Sequence, residues 1–124
     1  MKIISSKNNF KDYRGSISDI FYNKNIKHIS LILSNKGVVR GNLYFKNNKQ
    51  YIYNLSSTFE YWYKKYNSKS KPKKVLVKKG DLVCTPPHEI HAIKIVKKNK
   101  LLEFSDIIRT KKKYQNDIIR IKIV

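Results

Sequence analysis

The sequence of 124 residues contains one cysteine, Cys84, so no internal disulfide can brace the fold. A lone thiol in an apolar stretch beside a turn reads as a buried free thiol, consistent with a reducing cytoplasm. Long apolar runs are also missing. The opening MKIISSKNNF is too short in hydrophobic length for a signal peptide, and no stretch approaches a membrane span, which leaves a cytoplasmic protein with no membrane partner as the expectation. Arginine is scarce, at four of 28 basic residues. That scarcity bears on the formal net charge of +20, because Arg is the side chain best shaped for bidentate contacts to phosphates and base edges. No long window shows a helical period.

What is abundant has a common origin. Lys (24), Ile (17), Asn (12) and Tyr (9) make up half the chain, and AT-rich codons encode all four. The charge therefore reads first as a solvated lysine surface set by nucleotide composition. Attraction to nucleic acid or to an acidic partner is the second reading. The apolar share of 40% is enough for one modest core, and the length fits a single domain over 1–124.

Short runs rich in Ile, Val, Tyr and Phe recur between Lys, Asn, Ser, Gly and Pro clusters, which predicts strands. They fall near Gly15–Tyr22, Lys27–Ser34, Val38–Lys46, Gln50–Leu55, Thr58–Lys65, Lys73–Val77, Asp81–Thr85, His91–Val96, Leu101–Ile107 and Ile118–Ile123. The fold class is all-β, a closed sandwich or barrel. Lys46-Asn47-Asn48-Lys49 reads as a hairpin tip, Lys79-Gly80-Asp81 as a tight corner, and Thr85-Pro86-Pro87-His88 as a rigid connection. Tyr66 to Lys74 is the most polar segment and reads as a mobile loop.

Two stretches carry a family resemblance: Gly37 to Ser56, GVVRGNLYFKNNKQYIYNLS, and Gly80 to Ala92, GDLVCTPPHEIHA. Their spacing resembles the paired motifs of the cupin superfamily, with Gly37, Gly80, Pro86 and His91 at motif positions. The first motif's two histidines fall on Leu43 and Phe45, its glutamate on Lys49 and its second glycine on Ser56. Within the superfamily, Val39-Arg40-Gly41 and the hairpin after it resemble dTDP-4-dehydrorhamnose 3,5-epimerases and dTDP-sugar 3,4-ketoisomerases. Asp12-Tyr13-Arg14-Gly15, Lys27-His28, Gln50 and Leu102-Glu103-Phe104 add to the match.

The resemblance implies a small jelly-roll cupin that binds or converts a nucleotide-linked 4-keto-6-deoxy sugar in surface-polysaccharide synthesis, as a homodimer. Neither a metal nor another cofactor is expected. With Leu43, Phe45 and Lys49 at ligand positions, only His91 remains to bind an ion, and the lysine would repel it. An aliphatic Leu43 cannot act as the epimerases' proton acceptor either.

The candidate chemistry then rests on His91, Lys49 and Tyr53, with Arg40, Tyr44, Gln50, Tyr51, Tyr61, Tyr63 and His28 as substrate contacts. Arg40 would reach a phosphate by resemblance; its plainer reading is a salt bridge to Asp19 or Glu103. Strand alternation from Leu43 and Phe45 places Gly41, Lys49, Tyr51, Tyr53, Tyr61, Tyr63 and His91 on the inward face. These aromatics either stack on a sugar or plug the barrel. A basic barrel that binds nucleic acid or an acidic partner without catalysis is the alternative function.

Overall fold

The computed structural model describes residues 1–5 and 9–124. Its elements are β1 (Lys2–Ile4), β2 (Phe10–Asp12), β3 (Gly15–Ile17), β4 (His28–Ser34), β5 (Val39–Phe45), β6 (Gln50–Asn54), β7 (Phe59–Lys65), β8 (Lys73–Val77), β9 (Leu82–Thr85), β10 (Glu89–Lys94), β11 (Asn99–Ser105), α1 (Lys111–Asp117) and β12 (Ile118–Arg120). Two five-stranded sheets, ordered β1-β9-β6-β11-β4 and β12-β5-β10-β7-β8, face each other as an all-β jelly roll. Every pairing is antiparallel, and β2 and β3 form a separate hairpin.

Alternation along each strand builds the interior. On β7, Phe59 and Tyr61 point inward and are fully buried, while Glu60 and Trp62 share the outer face, where the indole donates to the Glu60 carboxylate at 3.0 Å. Ile52, Val77, Val83, Ile93, Ile95 and Leu101 complete the core between the sheets. Positive φ at Gly37 (90°) and Gly80 (86°) turns the chain into β5 and β9, a conformation glycine adopts without steric cost.

Four expectations need correction. Residues 46–49 do not close a hairpin: β5 lies in the second sheet and β6 in the first, so the chain crosses between sheets at this corner. Asp117 holds the crossing, its carboxylate accepting from the backbone N–H groups of Asn47 (2.9 Å) and Asn48 (3.0 Å) and from Asn47 Nδ2 (3.0 Å). The strand expected over Ile118–Ile123 ends at Arg120, and the residues before it form α1, capped by Thr110, whose hydroxyl accepts from Lys113 N–H. The strand expected over Gly15–Tyr22 stops at Ile17; the chain beyond lays Ile20, Phe21 and Ile26 against the outer face of the first sheet. Cys84 is half-buried rather than buried.

The polar segment after Lys65 is tied to the barrel. Tyr66 N–H donates to the His88 carbonyl, and its ring lies 5.4 Å from Tyr44 and 5.6 Å from His88. No helix among the described residues is long and apolar enough to cross a membrane.

Candidate functional site

A cavity of about 220 Å³ opens between the sheets, walled by Arg40, Gly41, Leu43 and Phe45 of β5, Gln50 and Ile52 of β6, His91 and Ile93 of β10, Glu103 of β11, and Arg109 and Tyr114 from the α1 region. The pairing explains who meets whom. His91 stands opposite Leu43 on one side and Tyr63 on the other, so its ring shares a row with an aliphatic and an aromatic side chain.

Gly41 is required here. It sits at φ 89°, and a Cβ on it would lie 2.8 Å from the His91 carbonyl oxygen. Asn42 is the extra residue of a bulge in this pair, at φ 56°. Its side-chain amide donates to the Val124 carbonyl and its oxygen accepts from the N–H groups of Ile123 and Val124.

His91 is buried, its ring stacked on Tyr61 at 5.9 Å and tilted against Phe45 at 5.7 Å. Its Nδ1 lies 3.2 Å from the Glu89 carbonyl, which can only accept, so Nδ1 carries the proton and Nε2 keeps the free lone pair of the neutral ring. Burial disfavours the imidazolium and lowers the pKa to about 4, against a smaller upward pull from the Glu89 carbonyl.

Tyr61 is committed to structure. Its hydroxyl is 2.6 Å from Thr85 Oγ1 and donates to Glu89 Oε2 at 3.1 Å, while Glu89 Oε1 holds the Met1 ammonium at 2.7 Å. Burial and the Glu89 charge push its pKa well above the usual phenol value.

Opposite His91 the cavity carries an ion pair. Glu103 faces inward from β11 and meets the Arg109 guanidinium, which packs 4.3 Å from the Tyr114 ring centroid and 5.9 Å from that of Phe45. Burial pulls the Arg109 pKa down, and Arg109 Nε has no hydrogen-bond partner. Gln50, also buried, leaves Oε1 without one. The cavity thus offers an unpaired donor and two acceptors, Gln50 Oε1 and His91 Nε2.

The structure sorts the expected residues. His91, Arg40 and Gln50 line one cavity. Tyr61 and Tyr63 face inward but pack in the core beside it. Tyr51 and Tyr53 point outward, contrary to expectation: Tyr51 packs on Phe21 and Phe104 and Tyr53 beside Ile20, because the sheet crossing resets the alternation so that Gln50, Ile52 and Asn54 face inward. Lys49 is likewise outside, exposed at the crossing with its ammonium 5.7 Å from the Tyr51 ring. Tyr44 stands on the outer face of β5, against Tyr66 and His88.

His28 is half-buried at the start of β4, its Nε2 2.8 Å from Ser30 Oγ. Arg40 makes neither of the expected salt bridges. It donates to Ser34 Oγ and to the Leu33 carbonyl, since Glu103 is taken by Arg109 and Asp19 accepts from the Tyr22 hydroxyl.

Arg109 and Tyr114 escaped the sequence reading altogether. A signal existed: Glu103 alternates with Leu101 on an apolar strand, and a buried carboxylate requires a cation. At the positions that the motif resemblance would give to metal ligands the residues do not fit an ion, for Leu43 and Phe45 have no donor atoms and Lys49 is outside. Among the described residues no three His, Cys, Asp or Glu side chains gather as a ligand set.

No known family's sequence profile matches the chain, and no curated protein does. Solved structures match closely in shape. A 3,4-ketoisomerase from Helicobacter canadensis superposes with a TM-score of 0.79 at 19% identity, covering 96% of this chain and 89% of that one. A sugar 3,4-ketoisomerase from Thermoanaerobacterium thermosaccharolyticum, in complex with TDP, gives 0.78 at 17% identity over 96% and 86%. A dTDP-4-dehydrorhamnose 3,5-epimerase from Sulfolobus tokodaii gives 0.71 at 18% over 91% and 72%. The fold is that of the sugar-nucleotide ketoisomerases and epimerases.

Proposed function

We propose that the barrel binds a nucleotide-linked sugar and does not isomerise it by the histidine chemistry of the enzymes it resembles. The observation that carries this reading is the cavity in which Arg40, Gln50 and His91 converge beside Leu43 and Phe45, which carry no acid or base. The ligand class comes from ketoisomerases of the same fold, crystallised with TDP and with TDP-4-keto-6-deoxyglucose. With that ligand goes a place in surface-polysaccharide synthesis.

Chemistry favours binding over turnover. Removing a proton beside a ketone needs a base whose pKa lies near the working pH. His91, at about 4, is a weak base at neutrality, and no second imidazole lines the cavity. What the residues do supply is orientation: Gln50 Oε1 and His91 Nε2 accept from sugar hydroxyls, and Arg109 donates to an oxygen.

Titration with dTDP- and UDP-sugars, followed by amide chemical shifts, tests the reading. Saturable shifts at Gly41, Gln50 and His91, without deuterium exchange beside the ketone of a 4-keto-6-deoxy sugar, are expected. Silence across the panel at millimolar concentration would sink it.

Homodimer formation belongs to the same proposal and is supported by β4, whose outer face is apolar. His28, Ser30, Ile32 and Ser34 face inward, while Ile29, Leu31 and Leu33 are 61%, 58% and 58% exposed. About Leu31 the apolar positions are symmetric, so a twofold axis there sets Leu31 on its copy and Ile29 on Leu33.

A second reading, nucleic-acid binding, has its own observation in the Tyr44, Tyr66 and His88 ring cluster on the outer surface of a chain of charge +20. It predicts oligonucleotide binding that weakens steeply with salt and with Tyr66→Ala.

A further inference from the structure

Across β6 from the interior cavity, the outer face of the first sheet carries a larger pocket of about 570 Å³. Its walls are apolar, with Phe21, Tyr51, Leu82 and Cys84 among them, and Lys2, Lys24 and Lys49 stand around it. The Phe21 and Tyr51 rings meet edge to face at 5.1 Å, Tyr51 being mostly buried, and Lys49 Nζ lies 5.7 Å from the Tyr51 centroid, which sets a cation at the edge of the aromatic pair.

The charges are available. Among the described residues none of the three ammonium groups has a carboxylate within ion-pair distance. Asp19, the acid at this pocket, already accepts from the Tyr22 hydroxyl. The three lysines act on one point: burial raises the Cys84 pKa, and Lys49, Lys2 and Lys24 each pull it back. An apolar wall with ring faces and unpaired cations at its edge complements a flat apolar body with an anionic group.

We propose that this outer pocket binds a small aromatic acid, its ring against Phe21 and Tyr51 and its carboxylate among Lys2, Lys24 and Lys49. The site is independent of sugar-nucleotide binding, because the sheet itself separates the two cavities: Tyr51 and Cys84 face one, Gln50 and Ile52 the other.

Cys84 provides the readout. In its reaction with an aryl disulfide the thiolate attacks one sulfur, a Cys84–aryl disulfide forms and one aryl thiolate leaves. Rates are compared for the anionic 5,5′-dithiobis(2-nitrobenzoate) and the neutral 4,4′-dithiodipyridine, each relative to glutathione. The expected preference for the anionic reagent is about tenfold at low salt, with slowing by millimolar 2-naphthoate. Lys24→Gln/Lys49→Gln should lose most of it.

General attraction by a charge of +20 is separated by Lys97→Gln/Lys98→Gln, which removes the same charge from an exposed turn elsewhere. Preference kept in this control and lost in the pocket variant supports the site. Equal loss in both, absence of preference, or no slowing by 2-naphthoate overturns it.

Discussion

Gly41 and His91 approach across β5 and β10 so closely that a single added carbon on Gly41 would sit 2.8 Å from the His91 carbonyl oxygen. The Arg-Gly pair seen in the sequence therefore has a packing role: it lets β5 run against the strand that presents the cavity's one histidine.

Gly41→Ala should be strongly destabilising, since Ala is strained at φ 89° and its methyl group meets backbone rather than a movable side chain. Together these cost more than about 2 kcal/mol, a fall in melting temperature of at least roughly 6 °C. A melting curve that superimposes on wild type contradicts the close approach.

His91 makes stability depend on acid. Above pH 6.5 the ring is neutral in both states and the native fold keeps its full stability. Between 6.5 and about 4 the unfolded chain takes up a proton that the buried ring refuses, so stability falls. The loss approaches about 3 kcal/mol near pH 4. Urea unfolding from pH 7 to 4 measures it, and His91→Gln should lose this component of the slope.

Asp117 anchors the crossing through three accepted hydrogen bonds. Asp117→Ala leaves two backbone N–H groups without their acceptor, and a loss of about 2–4 kcal/mol is expected. Amide exchange should quicken first at Asn47 and Asn48. Exchange unchanged there would mean the corner is held by something else.

In the Glu103–Arg109 pair the carboxylate is buried and the guanidinium partly buried. Glu103→Leu alone leaves a guanidinium uncompensated and should cost about 3–5 kcal/mol, whereas Glu103→Leu/Arg109→Leu should recover most of that. A double-mutant cycle in guanidinium chloride decides; additive losses would show that the two side chains do not interact.

Leu31→Lys puts a charge at the centre of the exposed β4 face. Light scattering after gel filtration should give a dimer for the wild type and a monomer for this variant, with each protomer still folded. A wild type that stays monomeric at high micromolar concentration removes the dimer from the proposal.

Much of the fold was legible because strand alternation and turn chemistry are local. Nearly every inner strand lies within a few residues of its expected range, and the motif spacings single out Gly37, Gly80, Pro86 and His91 from the sequence alone. β1, β2 and α1 were missed: two strands of three residues carry too short a pattern, and α1 rests on a cap and on the tertiary bonds of Asp117.

By itself the sequence determined the all-β fold class and the local strand patterns that carry Leu43, Phe45 and His91. Only the tertiary structure decided which side chains line the cavity. Whether a side chain faces the cavity depends on which sheet its strand joins, and the crossing between β5 and β6 turned Tyr51, Tyr53 and Lys49 outward and Gln50 inward. Arg109 reached the cavity because a buried carboxylate 6 positions earlier in the chain needs a counter-charge, a requirement that exists only once Glu103 is enclosed.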